Sequence, residues 1–336
     1  MKNNLKMFSF LLFGIVLLLA ACGGGTESKG DEKNNASESG SKEEKTYKIG
    51  ISQYVDHPSL NAATDGFKKA IEDSGLKVEF DPQNAAGDNS VNTTIANNFV
   101  SAGVDLIFAN ATPSAQAAAA ATGDIPIIFT SVTDAVGAEL VASMEAPGKN
   151  VTGTIDLHPD TIAKTVAFLK ELGVKNVGMV YNAGEQNSVA QVTEVKKIAA
   201  EHGLTIVEAS AATSADVKLA AESLVDKAEA FYIITDNTVV SALESVIDVA
   251  DTNKLPLVVG ELDSVARGGL AAYGFQYFDI GYEAGQMAVK ILKGEATPAE
   301  TPVQYPQNLK LVINKKVADS LDIGIKDSWG AELLEQ

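Results

Sequence analysis

The chain has 336 residues, with 26 Lys+Arg against 44 Asp+Glu, three histidines, one cysteine and 46% apolar residues. That length passes the roughly 250–300 residues at which a single hydrophobic core stops growing, so two domains are expected. A net charge of −18, with Arg267 as the only arginine, offers no basic face to displace counterions from phosphates and argues against a nucleic-acid partner, while a lone cysteine excludes an internal disulfide, a redox pair and a cysteine zinc site.

At the N-terminus, Lys2 and Lys6 flank the start of a 15-residue uncharged stretch, residues 7–21. It is short for a membrane-spanning helix, which needs about 20 residues, and has the form of an export signal. It closes on Leu19-Ala20-Ala21-Cys22, which resembles the lipobox of bacterial lipoproteins. The resemblance implies cleavage after residue 21 and a diacylglycerol, or palmitate-type, anchor on the Cys22 thiol, which holds the protein on the extracytoplasmic face of the cell membrane. Two acyl chains are what stable attachment takes. Cleavage removes two lysines, so the mature charge is −18 − 2 = −20. Residues 23–46 are rich in Gly, Ser, Asn, Glu and Lys, with Ala36 the sole apolar member, and read with Cys22 as a disordered tether. Its 24 residues span on the order of 25–30 Å root-mean-square.

From residue 47 a strand–loop–helix pattern repeats. Apolar runs of strand length fall at 47–52, 78–80, 106–109, 125–130, 177–181, 206–209, 231–235 and 257–259, with helical spacing at 64–73, 91–101, 161–172, 188–202 and 215–227. This alternation predicts an α/β fold with parallel sheets covered on both faces. Phe67-Lys-Lys-Ala-Ile-Glu-Asp-Ser-Gly-Leu76 aligns with Val195-Lys-Lys-Ile-Ala-Ala-Glu-His-Gly-Leu204 at an offset of 128, and Lys48-Ile-Gly-Ile-Ser52 falls on Asn176-Val-Gly-Met-Val180 at the same offset. A nearly constant offset across several elements predicts two similar, doubly wound lobes facing a central cleft. A helical stretch at 275–293 and a last strand at 309–313 remain after the second lobe. They let the chain return to the first lobe and cross back, giving a three-crossing hinge near 150–154, 271–274 and 297–302. The expected division is a signal at 1–21, a tether at 22–46, one lobe from 47–153 plus 272–300, and a second from 154–271 plus 301–336. A monomer is expected.

Ligands of open α/β sheets bind beyond the carboxyl ends of the strands, so the loops after the strands are the place to search. Thr112, Ser131 and Thr133 offer hydroxyls at helix N-termini, where a ligand carboxylate would be welcome. Asp236, directly after an apolar strand, suits a ligand ammonium, with Glu261 as the second choice. Together they suggest a zwitterion such as a free amino acid. Ser131, Asn187, Ser188 and Asp236 read equally as helix N-caps, since these residue types are the preferred caps. Tyr54 is the aromatic residue best placed to wall a ligand side chain. GxGxxG, Walker, HExxH, GxSxG and EF-hand patterns are all missing from the sequence, and no cofactor or metal is expected, nor an enzyme.

Gly50-Ile-Ser-Gln-Tyr-Val-Asp-His-Pro58, Gln83-Asn-Ala-Ala-Gly-Asp88, Ala111-Thr-Pro113, Ser131-Val-Thr-Asp134, Asn150-Val-Thr-Gly153, Tyr181-Asn182 with Glu185 and Asn187-Ser188, and Thr235-Asp-Asn237 resemble the tryptophan/tyrosine-type substrate-binding lipoproteins of ABC transporters. The likeness runs from about residue 47 to about 323. It implies a type I periplasmic-binding-protein fold, capture of tryptophan, tyrosine or phenylalanine, and delivery to an ABC permease. Carried over position by position, it implies a pocket of Ser52, Tyr54, Thr112, Ser131, Thr133, Asn187, Ser188, Asp236 and Asn237. The segment around Lys326-Asp-Ser-Trp329 departs from the pattern. The rival readings are a binding protein for a sugar or nucleoside and a sensory receptor. The single tryptophan, at 329, lies away from every cleft loop, which speaks against a stacking sugar site.

Overall fold

The computed structural model describes residues 45–335. The expected export signal, Cys22 and nearly all of the tether lie outside them.

The first sheet contains β1 (Tyr47–Gln53), β2 (Val78–Asn84), β3 (Leu106–Asn110), β4 (Ile127–Val132) and β5 (Val151–Ile155), in the order β2-β1-β3-β4-β5 with every pairing parallel. The second contains β6 (Asn176–Tyr181), β7 (Thr205–Ser210), β8 (Ala230–Ile233), β9 (Leu257–Val259), β10 (Ala271–Gly274), β11 (Lys310–Asn314) and β12 (Glu332–Leu334), ordered β12-β11-β10-β9-β8-β6-β7. Only β10 and β11 run antiparallel. The repeat seen in the sequence is a repeat of topology: β7-β6-β8-β9-β10 retraces β2-β1-β3-β4-β5.

Continuous apolar runs such as Leu-Ile-Phe-Ala-Asn in β3 and Ala-Phe-Tyr-Ile in β8 are buried throughout, as strands covered on both faces must be. Each sheet carries two apolar layers. Phe99, Ile107 and Phe129 lie on one face of the first sheet and Phe67, Phe108 and Ile128 on the other. In the second, Phe231, Val246 and Leu257 oppose Val166, Met179 and Tyr232.

The helices α1 (Pro58–Asp73), α2 (Asn89–Ala102) and α3 (Thr112–Ala121) cover the first sheet, and α4 (Thr161–Glu171), α5 (Gln186–Glu201), α6 (Val217–Glu222), α7 (Asn237–Ser241), α8 (Leu243–Asn253) and α9 (Leu262–Arg267) the second. Helix α10 (Tyr277–Leu292) follows a strand of the second sheet yet packs along α1 of the first lobe. Small residues permit this: a Cβ on Gly281 would meet the Ala63 carbonyl oxygen at 1.9 Å, and one on Gly66 would meet the Phe278 carbonyl oxygen at 2.1 Å.

The chain leaves the first sheet after Ile155, returns after Gly274, and leaves again beyond Gln304, which bridges to Thr154. The crossings thus fall a few residues later than the sequence suggests. The segments expected as crossings at 150–154 and 271–274 instead fall on β5 (Val151–Ile155) and β10 (Ala271–Gly274), corresponding edge strands of the repeated unit. The segment before β12 docks on the second lobe: Trp329 Nε1 donates to Glu171 at 2.6 Å, and its ring meets Phe168 edge-on at 5.1 Å.

Candidate functional site

Parallel strands deliver their following loops to one end of each sheet, and here the two ends face each other. The carboxyl ends of β1, β3 and β4 and the segments that follow them bring Ser52, Tyr54, His57, Asn110, Thr112, Ser131 and Thr133 into the interior, all buried. From the other lobe come Glu185, Asn187, Ser188 and Gln191 around the start of α5, Asp236 and Asn237 after β8, and Glu261 after β9, buried as well. The lobes touch: Ser59 Oγ donates to Asp263 Oδ2 at 2.9 Å, and Gln191 Nε2 donates to Thr133 Oγ1 at 3.3 Å. All ten residues expected from the sequence are buried, at or near the strand ends of the two lobes.

Their hydrogen bonds divide them. Ser52 spends its hydroxyl within the first lobe, near Asn92 Oδ1 at 3.2 Å and Ser114 Oγ at 3.3 Å. Tyr54 donates to the Gly87 carbonyl at 3.0 Å and packs into the first lobe's core. It also borders a cavity of about 410 Å³ at the cleft rim, with Gly87 and Asp88 on one side and Thr213 and Thr238 on the other. Burial, with the charges of Glu185 and Asp236, raises its phenol well above the usual range. Thr112 Oγ1 accepts from the Thr133 N–H at 3.5 Å.

Asp236 caps α7, accepting from Val239 N–H at 2.8 Å through Oδ1, and from Asn182 N–H and Ser188 Oγ, both at 2.6 Å, through Oδ2. The cap reading is thus realised, and Oδ1 keeps capacity for one more donor. Burial first, and the neighbouring Glu185 charge second, push its carboxyl upward. Glu185 is itself enclosed by donors: Asn237 Nδ2 at 2.6 Å, Asn187 Nδ2 at 3.2 Å and Thr238 Oγ1 at 2.8 Å. Glu261 accepts from Ser264 Oγ at 2.7 Å and is pushed up to about 7 by burial.

A second group of atoms has no protein partner. Among the described residues, the buried polar side-chain atoms left unpaired include Ser131 Oγ, Asn110 Oδ1 and His57 Nδ1 in the first lobe, and Asn187 Oδ1 and Gln186 Oε1 in the second. Thr161 Oγ1 on α4 is unpaired as well; such atoms are rare because each forfeits its hydration, so those at the strand ends and the start of α5 are free to pair with a polar guest. Backbone strain falls in the same place. Ser131, at φ +55°, and Ala111, at φ +87°, hold conformations that L-residues avoid, the first at a register shift in β4 and the second capping α3.

Gln191 and Asp156 are the cleft residues the sequence does not mark, and His57, Asn110 and Glu185 lie in the expected loops without belonging to the expected pocket. Asp156 lies at the first crossing, where Tyr277 Oη donates to it at 2.9 Å and Thr133 Oγ1 at 3.0 Å; burial pushes its carboxyl up to about 6 against those bonds. His57 is driven down to about 3, first by burial and then by Arg267, so it is neutral. Among the described residues no cluster of His, Cys, Asp or Glu could hold a metal ion, and no helix is long and apolar enough to cross a membrane.

Comparison with known proteins agrees with this architecture. A tyrosine-binding protein of Clostridioides difficile (strain R20291) is 41% identical over 331 residues, spanning 96% of this chain and 94% of that one. A Streptococcus ABC-domain structure solved in complex with L-Trp superposes with a TM-score of 0.82 at 35% identity, covering 86% of this chain and 100% of the other. The ligand-free, open structure of a Clostridium difficile substrate-binding protein with adhesive properties gives a TM-score of 0.65 at 39% identity, over 86% and 99% of the two chains. The family model of ABC transporter substrate-binding proteins matches residues 48–333. With two lobes, a cleft between their strand ends and a match over most of its length, the chain belongs to the ABC transporter substrate-binding proteins.

Proposed function

We propose that this protein captures a free aromatic amino acid, tryptophan, tyrosine or phenylalanine, between its lobes and passes it to an ABC permease, working as a monomer held at the extracytoplasmic membrane face through Cys22. The observation that carries the reading is the set of unpaired buried atoms in both lobes, Ser131 Oγ and Asn110 Oδ1 in the first and Asn187 Oδ1 in the second. Ser131 and the N-terminus of α3, opened by the strained Ala111, take the ligand carboxylate, because a hydroxyl and free backbone N–H groups at the positive end of a helix suit an anion. Asn187 Oδ1 and the remaining position on Asp236 Oδ1 take the ammonium, in the field of Glu185. The relatives that bear tyrosine in their name or L-Trp in their structure support an aromatic side chain.

Isothermal titration with L-tryptophan, L-tyrosine, L-phenylalanine, D-glucose and adenosine tests this. At least one aromatic amino acid should bind and the sugar and nucleoside should not; the reverse pattern overturns it.

A further inference from the structure

A chain of five side chains, four of them buried and Thr235 half-buried, runs across the cleft beside the loops just described. Thr235 follows β8, Gln191 lies on α5, Thr133 follows β4, Asp156 stands at the first crossing and Tyr277 opens α10 at the second. Gln191 Nε2 donates to Thr235 Oγ1 at 2.7 Å and to Thr133 Oγ1 at 3.3 Å. Thr133 donates its one proton to Asp156 Oδ1 at 3.0 Å, and Tyr277 donates to Asp156 Oδ2 at 2.9 Å. The polarity is fixed throughout. Because the Thr133 hydroxyl proton goes to a carboxylate, Thr133 can only accept from Gln191, and because Gln191 Oε1 faces the Thr235 N–H at 3.5 Å, the amide must point its nitrogen across the cleft. Four of the five residues are among the most enclosed polar or aromatic groups in the protein, none above 7% exposed.

One link in this chain behaves unlike the others. Thr235 and Gln191 both belong to the second lobe, and Thr133, Asp156 and Tyr277 are tied together at the pivot. Within this chain of bonds, the one from Gln191 to Thr133 alone joins the moving surfaces, as Ser59 to Asp263 does elsewhere in the cleft, so it exists when the lobes meet and breaks when they part. Asp156, fixed by Tyr277 at one crossing, holds Thr133 in place to receive it.

We propose that Gln191 is a positioning residue that latches the closed lobes through Thr133, and so sets how long a captured ligand stays. It acts on the closed–open equilibrium: opening exchanges a buried bond for water, which lowers the closed population by about three- to tenfold when the bond is missing. This inference rests on the proposed capture of an amino acid between the lobes only for its kinetic readout; the closure readout stands without it.

The test is a double-mutant cycle of Gln191→Leu and Thr133→Val, with Thr133→Ser as the conservative rescue. Release of labelled L-tyrosine or L-tryptophan into an unlabelled chase should quicken about three- to tenfold in each single variant with the association rate unchanged, the double variant should be no worse than the worse single one, and Thr133→Ser should restore the natural rate. In parallel, spin labels on exposed Val91 and Leu219, in a Cys22→Ser background, report lobe distance without ligand. The closed fraction should fall in Gln191→Leu whichever solute the protein takes. If L-tyrosine, L-tryptophan and L-phenylalanine all fail to bind the natural protein, the functional reading fails while the distance measurement still judges the latch. An unchanged closed fraction and release rate in Gln191→Leu, or losses from the two single variants that add in full, would overturn the latch.

Discussion

Ser131 shows how a single residue is set up for a partner it does not find within its own chain. Its backbone holds φ +55°, a region that costs an L-residue about 1–2 kcal/mol, and its hydroxyl is buried and unpaired. Both costs are absent if position 131 is glycine, which accepts the left-handed region and carries no hydroxyl. Ser131→Gly should therefore leave the ligand-free Tm unchanged or raised, while weakening amino-acid binding about tenfold or more, as expected when a hydrogen bond to a charged group is removed. Calorimetry with and without ligand checks both halves; a lowered Tm with natural affinity would contradict the assignment. Asp236 gives the complementary lesson. Its position after an apolar strand pointed to an ammonium partner, yet three donors of its own lobe already hold it. From sequence the cap and the ligand contact look alike, because both want a carboxylate at the start of a helix.

Among the elements, α10 is the piece that makes two lobes into one hinged body. It is reached from β10 in the second sheet, and it lies on α1 in the first lobe because Gly281 sits on the backbone of Ala63, Gly285 on Phe67 and Ala70, and Gly66 on the backbone of Phe278. Gly281→Ala should cost about 1–3 kcal/mol, lowering Tm by several degrees, since the new methyl meets backbone that cannot move aside. Differential scanning calorimetry decides this, and an unaltered Tm would show that the seam has slack. Strongly patterned elements such as β3, β8 and α5 were legible in the sequence. The Ala-rich α3 was not, because a run of Thr-Pro-Ser-Ala-Gln-Ala-Ala-Ala-Ala-Ala has no polar face to set a period. The short Val-Thr-Gly-Thr-Ile of β5 and Ala-Ala-Tyr-Gly of β10 carry glycine and small residues that read as linkers; only their place at the end of a repeated five-strand unit identifies them as strands. Gln191 escaped notice for a related reason: on α5 it is one polar residue among many, and its importance arises from Thr133 approaching across the cleft.

At the scale of the whole molecule, two copies of one α/β unit place matching loops mouth to mouth, and three crossings allow them to part without losing register. Hydrogen bonds from Ser59 to Asp263 and from Gln191 to Thr133 hold the described structure shut, with polar atoms on both walls left for a guest. Binding energy would then be spent on shifting an equilibrium between open and closed forms, the change a permease can read. Small-angle X-ray scattering of the protein before and after addition of aromatic amino acids tests that claim most directly. The account predicts that the radius of gyration falls on saturation with the L-tryptophan or L-tyrosine that binds and stays unchanged with D-glucose; binding of the amino acid with no contraction, or contraction with the sugar alone, would contradict it.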